Sequence, residues 1–524
     1  MRKRVWLWVL LCFLSLSAAG CGAEKEPQGD WTLWVLTEKS PSDGMNYQAE
    51  RIAGAFEKAH PGVSVRIELL PTEPEERSNY LYQLRTGIMA GEGPDIYLLP
   101  TGSTLQTDTA RIGVRALSDC EIEPLFSDVN QAMENGIFQD VQAYYQSDAS
   151  LRTEDLNKTV MDAGTVNGRR YVLPLRYNMP VIMVDPEALP FPLEDNLTIT
   201  ELAACAISGE NTMLAIGLQM RDDFSLFSRL FDYPDGEVLI TKKEIARYLS
   251  QYQQIRAMSA LPLEELLDSW LKEMFASAPE DLAAMAKSTH TYGLRDFCDA
   301  TVFTCFGTHW STSRFPAFAG GIPDALENAA INQFLGGNLI CLPLCPPDGS
   351  VVAEVTYYGA VGCSCEDPEL AYAFLREFLT EDYQWDILRP RTDYTGDSVF
   401  QKAKEVQNRG LVEDSWPVRS KNSVGYLWQT LQYQIYRFGS NSFRDGTEEV
   451  RSTFCKTVVL TDEDLPVLSR SIDEVRFPIY LSGEGALSGV LARLNQEDGT
   501  PTDVDIDELA GEVWQNLWWH LAEG

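Results

Sequence analysis

The strongest constraint on the fold lies in residues 31–100, where short apolar runs alternate with helix-period segments. "WTLWVL" (31–36) reads as a buried strand. In the stretch that follows, Ala49, Ile52, Ala53, Phe56 and Ala59 recur at helical spacing, and Pro61-Gly62 ends the helix. "VSVRIELLP" alternates Val63, Val65, Ile67 and Leu69, the pattern of a second strand. "NYLYQLRTGIMAG" (79–91) places Leu81, Leu84 and Ile88 on one helical face, and "DIYLLP" (95–100) reads as a third strand. A β-α-β-α-β order predicts an α/β fold, a mostly parallel sheet with helices on its faces. Ligands of such sheets bind beyond the carboxyl ends of the strands, here residues 37–47 and 99–104.

The chain of 524 residues is long enough for two or three domains, and its 44% hydrophobic content is that of an ordinary globular protein. Its net charge of −35 repels phosphate backbones and speaks against nucleic acid as a partner. Arg2, Lys3 and Arg4 precede the apolar run "VWLWVLLCFLSLSA", the layout of an export signal. "AAGC" closes the run at Cys21 and resembles the bacterial lipobox, with Ala18 where Leu is commoner. That resemblance implies a lipid on Cys21, a body held at the outer face of the cell membrane, and a mature charge of −38 once the three basic residues are gone. Residues 22–30, polar and small, read as a tether. Beyond Cys12 and Cys21, nine of the 11 cysteines remain, an odd number that cannot pair completely within one chain. Most sit among apolar residues, as buried free thiols do.

The run "YQAERIAGAFEKAHPGVSVRIELLP" followed by "LYQLRTGIMAGEGPDIYLLP" resembles the start of the family-1 extracellular solute-binding proteins, the capture subunits of ABC importers. The resemblance continues through "VNGRRYVLPLRYNMPVIMVDPEAL" (166–189), "ATVFTCFGTHW" (300–310), residues 342–382 and the C-terminal segment. Met183–Asp185, "MVD", stand where the family has "YYN", and residues 393–475 match poorly. The resemblance implies a two-lobe, hinge-linked fold of the type II periplasmic-binding-protein kind. It divides the chain into a leader at 1–20, a tether at 21–30, one lobe from 31–174 and 352–390, and a second from 175–351 and 391–524. Residues 173–180 and 354–362 are the expected crossings between them. It also implies a monomer that captures a solute, expected to be a sugar, and hands it to ABC permease subunits.

By position in the family pattern, the ligand-binding residues are Asp43, Asn46, Tyr47, Thr101, Ser103, Arg176, Tyr177, Asn178, Trp310, Tyr357 and Tyr358, with Trp310 as the stacking platform. Each has a plain structural alternative: Asp43 can be a turn residue, Tyr47 a helix-face packing residue, Arg176 an ion-pair partner and Trp310 core. An aromatic content of 10% suits a sugar site and a large core equally. The alternatives in function are an exported carbohydrate-active enzyme and a receptor for a peptide or polyamine. Against an enzyme, the chain has no GxSxG and none of its four histidines stands at HExxH spacing. "DVDIDELAGEVW", from Asp503, lacks the glycine and glutamate of a calcium loop; its acidic run suits the start of a last helix built on Ile506, Leu509, Val513, Leu517 and Leu521. No cofactor or metal is expected.

Overall fold

The computed structural model describes residues 31–39, 45–101, 123–184, 197–210, 215, 218, 230–232, 235–259, 317–320, 340–346, 349–386, 416–419, 432–442, 448–459, 477–479, 490–496 and 499–523. The expected leader and tether, with Cys21, lie outside them, as do Asp43, Ser103 and Trp310.

The expected βαβαβ run forms. Strand β1 (Trp31–Glu38) is followed by helix α1 (Met45–Ala59), β2 (Val63–Leu70), helix α2 (Pro74–Met89) and β3 (Ile96–Pro100). β1 pairs in parallel with both β2 and β3. α2 starts at Pro74 rather than at the expected Asn79: proline suits the first turn, and Glu75 and Glu76 suit the positive end of the helix dipole.

The large sheet is completed by β4 (Val172–Asn178), β9 (Val352–Val361), β10 (Trp416–Pro417) and β11 (Phe477–Ile479). β9 runs antiparallel between β3 and β4, β10 edges β4, and β11 pairs with β9. The smaller sheet holds β5 (Val181–Val184), β6 (Leu197–Thr198), β7 (Ala317–Gly320) and β8 (Ile340–Cys345), in the order β7-β5-β8-β6. Each sheet has its own apolar core. Leu33, Val35, Phe56, Leu98, Tyr358 and Phe374 belong to the large body. Ile182, Leu202, Leu249, Leu344, Val513 and Leu517 belong to the small one. Two sheets with two cores, joined by short strands, give the two-lobe α/β layout that the resemblance implied.

β4 lies in the large sheet and β5 in the small one, so the chain crosses at Met179-Pro180; Pro180 stays tied to the small sheet by accepting the Leu344 N–H at 3.0 Å. The chain returns between the end of β8 at Cys345 and the start of β9 at Val352. Of residues 354–362, expected to form that return, 354–361 instead belong to the central strand β9, because β3 and β4 supply backbone partners on both its edges. The expected division assigns Leu175–Asn178 and everything from 391 onward to the second lobe, whereas β4, β10 and β11 sit in the large sheet. Arg419, 4% exposed, anchors the segment after β10. Its N–H donates to Gln384 Oε1 (3.2 Å), its Nε to the Leu379 carbonyl (3.1 Å) and its Nη1 to Asp155 Oδ2 (3.0 Å).

Helix α3 (Val129–Glu134) is capped by Asp128, and α4 (Ile199–Ser208) by a Thr198–Glu201 capping box. α5 (Lys242–Ser259) packs on the last helix, α8 (Ile506–Glu523), while α6 (Pro368–Arg376) and α7 (Glu381–Asp386) cover the large sheet. Asp505 caps α8 through the N–H groups of Asp507 and Glu508. Leu509, Val513 and Leu517 are buried on it, while Trp518 and Trp519 are exposed. The segments Gln432–Ser442 and Glu448–Val459, within the poorly matching region, pair with each other as a hairpin. Among the described cysteines, Cys341, Cys345 and Cys365 are buried, Cys205 is half-buried and Cys363 is exposed.

Candidate functional site

The carboxyl ends of β1 and β3 meet the middle of β9, since Thr37 stands opposite Leu98, and Pro100 opposite Tyr357. Arg176 of β4 is the next partner of Tyr357, and the β9–β4 register slips on both sides of that tyrosine. Such bulges turn a strand and re-aim its side chains. Because facing residues share a side of the sheet, Thr37, Leu98, Pro100, Tyr357 and Arg176 line one face.

Helices α1 and α6 cover that face. Gly359 lies opposite Leu98, and a Cβ on it would stand 2.7 Å from Leu375 Cδ2 of α6. Phe56 of α1 meets Phe374 of α6 edge-on at 5.4 Å. α1 runs back along β1, so its first turn sits over the strand's carboxyl end. There the Tyr383 hydroxyl donates to Met45 Sδ at 3.5 Å and accepts from Arg176 Nη2 at 3.2 Å. The Arg176 guanidinium lies 5.6 Å from the Tyr357 ring centre and 5.9 Å from that of Tyr383.

Around this cluster, polar atoms are buried without partners. Thr37 Oγ1, Gln48 Oε1 and Thr356 Oγ1 have no hydrogen bond among the described residues, and their residues are 0%, 5% and 4% exposed. Native folds satisfy more than nine-tenths of buried polar groups. Three unsatisfied ones at the carboxyl edge of the sheet are what a hydroxyl-bearing guest fits, since each hydroxyl both donates and accepts.

On the opposite face of β1, the carboxylate of Glu38 is already committed. Arg77 grips it with two bonds of 2.6 and 2.9 Å while donating to the carbonyls of Pro71 and Glu123. No group of three or more His, Cys, Asp or Glu side chains among the described residues could hold a metal.

Of the residues expected to bind ligand, Arg176 and Tyr357 join the cluster. Thr101 lies beside it, its N–H donating to the Thr356 carbonyl at 2.8 Å. Tyr177 and Tyr358 alternate to the other face and are core side chains, 0% and 1% exposed. Asn178, buried, accepts the Met179 N–H on its Oδ1 at 2.9 Å and shapes the crossing. Asn46 and Tyr47 belong to the first turn of α1, with side chains outside the described set; Asp43, Ser103 and Trp310 lie outside it altogether.

Thr37, Gln48, Thr356 and Tyr383 were not among the expected residues. Two carried a visible signal. Thr37 is a hydroxyl at the end of an otherwise apolar strand, and Gln48 is a lone amide on the helical stripe of Met45, Ala49, Ile52 and Phe56.

No protein-family model matches the chain, and no curated protein matches it. Solved structures do. The sugar-binding protein MalE from Xanthomonas citri is 13% identical, with 94% of this chain and 98% of that one covered and a TM-score of 0.46. A family-1 extracellular solute-binding protein from Alicyclobacillus acidocaldarius is also 13% identical, at the same coverage and a TM-score of 0.45. The Listeria monocytogenes ABC substrate-binding protein Lmo0181, solved with cycloalternan, is 13% identical with 93% and 98% covered and a TM-score of 0.44. The chain is similar to these proteins in outline.

Proposed function

We propose that this chain is a solute receptor rather than a catalyst. It takes a small hydroxyl-rich molecule, a sugar or oligosaccharide, between its two bodies and delivers it to an ABC importer. It works as a monomer at the outer face of a membrane, held there by lipid on Cys21. The observation that carries this reading is the set of unpartnered buried atoms on Thr37, Gln48 and Thr356 at the edge where the sheet's strands end. Flanking them are the flat ring of Tyr357 and the planar guanidinium of Arg176, both buried in this arrangement and reached by a guest only when the bodies part.

The short crossings at Met179-Pro180 and between Cys345 and Val352 suit a hinge, in which a few positions absorb the rotation of two bodies. A solute that touches both bodies binds the closed form better and shifts the population toward it. The lipid tether raises the receptor's local concentration at the importer.

Thermal unfolding of the protein against panels of oligosaccharides, peptides and polyamines tests the reading. A sugar at ~100 times its dissociation constant adds ~2.7 kcal/mol to stability. Thr37→Val isolates the site. It removes an unsatisfied hydroxyl at constant shape, so the ligand-free variant is as stable as wild type or more so. Its sugar affinity falls about tenfold, ~1.4 kcal/mol. A shift with polyamines alone moves the ligand class. Equal affinity in wild type and Thr37→Val removes Thr37 from the site.

A further inference from the structure

His520 bridges the two bodies. It sits in the last turn of α8, whose Leu509, Val513 and Leu517 belong to the small body's core. Its Nε2 lies 3.1 Å from Asp128 Oδ2. Asp128 caps α3, whose Val129, Ala132 and Met133 belong to the large body's core.

Both partners are held from behind. Asp128 Oδ1 accepts the N–H groups of Asn130 (2.9 Å) and Gln131 (3.2 Å), and its side chain is fully buried. The imidazole stacks on Phe231 of the small core at 5.6 Å and 26°. The carboxylate therefore moves with the large body and the imidazole with the small one, so a relative rotation of the bodies strains or breaks their contact.

Imidazole is the side chain whose charge ordinarily changes between about pH 5 and 8. A neutral ring makes an ordinary hydrogen bond to the carboxylate; a protonated ring makes a charge-assisted ion pair, roughly twice as strong. The C-terminal end of α8 also favours a cation at this position. Charged groups of both signs stand on the elements around the pair. α3 brings Glu134, whose own pKa is raised by burial and then by the Asp128 charge. The short hairpin of Phe231–Asp232 and Glu237–Val238 brings Asp232, Asp235 and Glu237. Lys242, Lys243, Arg247 and Arg256 lie on α5; Lys242 is placed over the Trp514 ring at 4.9 Å. Arg493 is engaged by Glu512 of α8 at 2.8 Å.

We propose that His520 and Asp128 form a proton-sensitive clasp that fastens the two bodies in the arrangement seen here, tightening as His520 gains a proton and loosening as it loses it. The clasp uses the solute-receptor reading only for the idea that the bodies rotate, and its test needs no solute.

The full chain is prepared with one spectroscopic label on each body, introduced as non-natural side chains at the exposed positions Tyr82 and Leu239 so that native thiols stay untouched. The inter-label distance distribution is measured without ligand at about pH 5.5 and about pH 8. In wild type, the fraction in the fastened arrangement relative to all others rises severalfold at the lower pH. Asp128→Asn keeps an oxygen to cap α3 but loses the charge, and His520→Gln keeps a polar group of similar reach that cannot charge. In both variants the pH response disappears, while thermal unfolding and circular dichroism match wild type. A response that persists in either folded variant, or a wild-type distribution unchanged between the two pH values, overturns the clasp. Failure of every sugar to bind would overturn the receptor reading and leave this distance measurement standing.

Discussion

Arg77 is almost wholly buried and gripped to Glu38, so its loss strands a carboxylate in the large core. Removing one member of such a pair costs about 3–5 kcal/mol, whereas replacing both by apolar residues of similar volume costs far less. Denaturant unfolding of Arg77→Met is expected to show that loss, and the double variant with Glu38→Met to recover most of it. Asp148 makes a different statement. Burial works against its ionisation, but the hydroxyl and N–H of Ser150, the guanidinium of Arg376 and the hydroxyl of Tyr372 outweigh it, and its pKa is lowered from 3.8. A depressed carboxylate contributes stability that is present above its unfolded pKa and lost as pH falls through the folded one. The stability gap between wild type and Asp148→Asn is therefore expected to be open above the ordinary carboxylate range and to close as pH falls below it, as read by urea midpoints across acid pH. Neither feature stands out along the chain, because a lone Arg or Asp looks the same in sequence whether it is buried or bathed in water.

At the level of elements, local chemistry carries far. The hairpin of Thr165–Val166 and Arg169–Arg170 turns on Asn167 and Gly168, with φ of 51° and 75°, the left-handed pair that a tight hairpin asks for. β1, α1, β2, β3 and the buried stripe of α8 follow from periodicity alone. Two glycines separate local from tertiary demands. Gly54 in α1 has open space around a would-be Cβ, so Gly54→Ala is expected to raise stability by about 0.5–1 kcal/mol through backbone entropy. A Cβ on Gly164 would lie 1.9 Å from the Val172 carbonyl oxygen, so Gly164→Ala must push strand β4 aside. Thermal unfolding is expected to show a loss of about 1–3 kcal/mol or more. The bulges around Tyr357 belong to the same class: they arise where β9 must serve two neighbours of different register, which no window of one strand reveals.

For the whole molecule, the reading to be tested is two rigid bodies on narrow joints. Solution scattering is expected to report a smaller radius of gyration when a bound sugar is added, and no change with a sugar that leaves the unfolding temperature unmoved. The sequence by itself determined the order of elements, the α/β class, the Asn-Gly turn and the buried face of the last helix. Each depends on residues a few positions apart, whose side-chain types set periodicity and turn geometry. Tertiary structure alone decided the rest. It put Arg176 against Tyr383, 207 residues away, and His520 against Asp128, 392 residues away. It also brought β10 and β11 back to the large sheet and left Thr37, Gln48 and Thr356 buried without side-chain partners among the described residues. Burial and hydrogen-bond satisfaction are properties of the packed chain, and they appear only once distant segments have met.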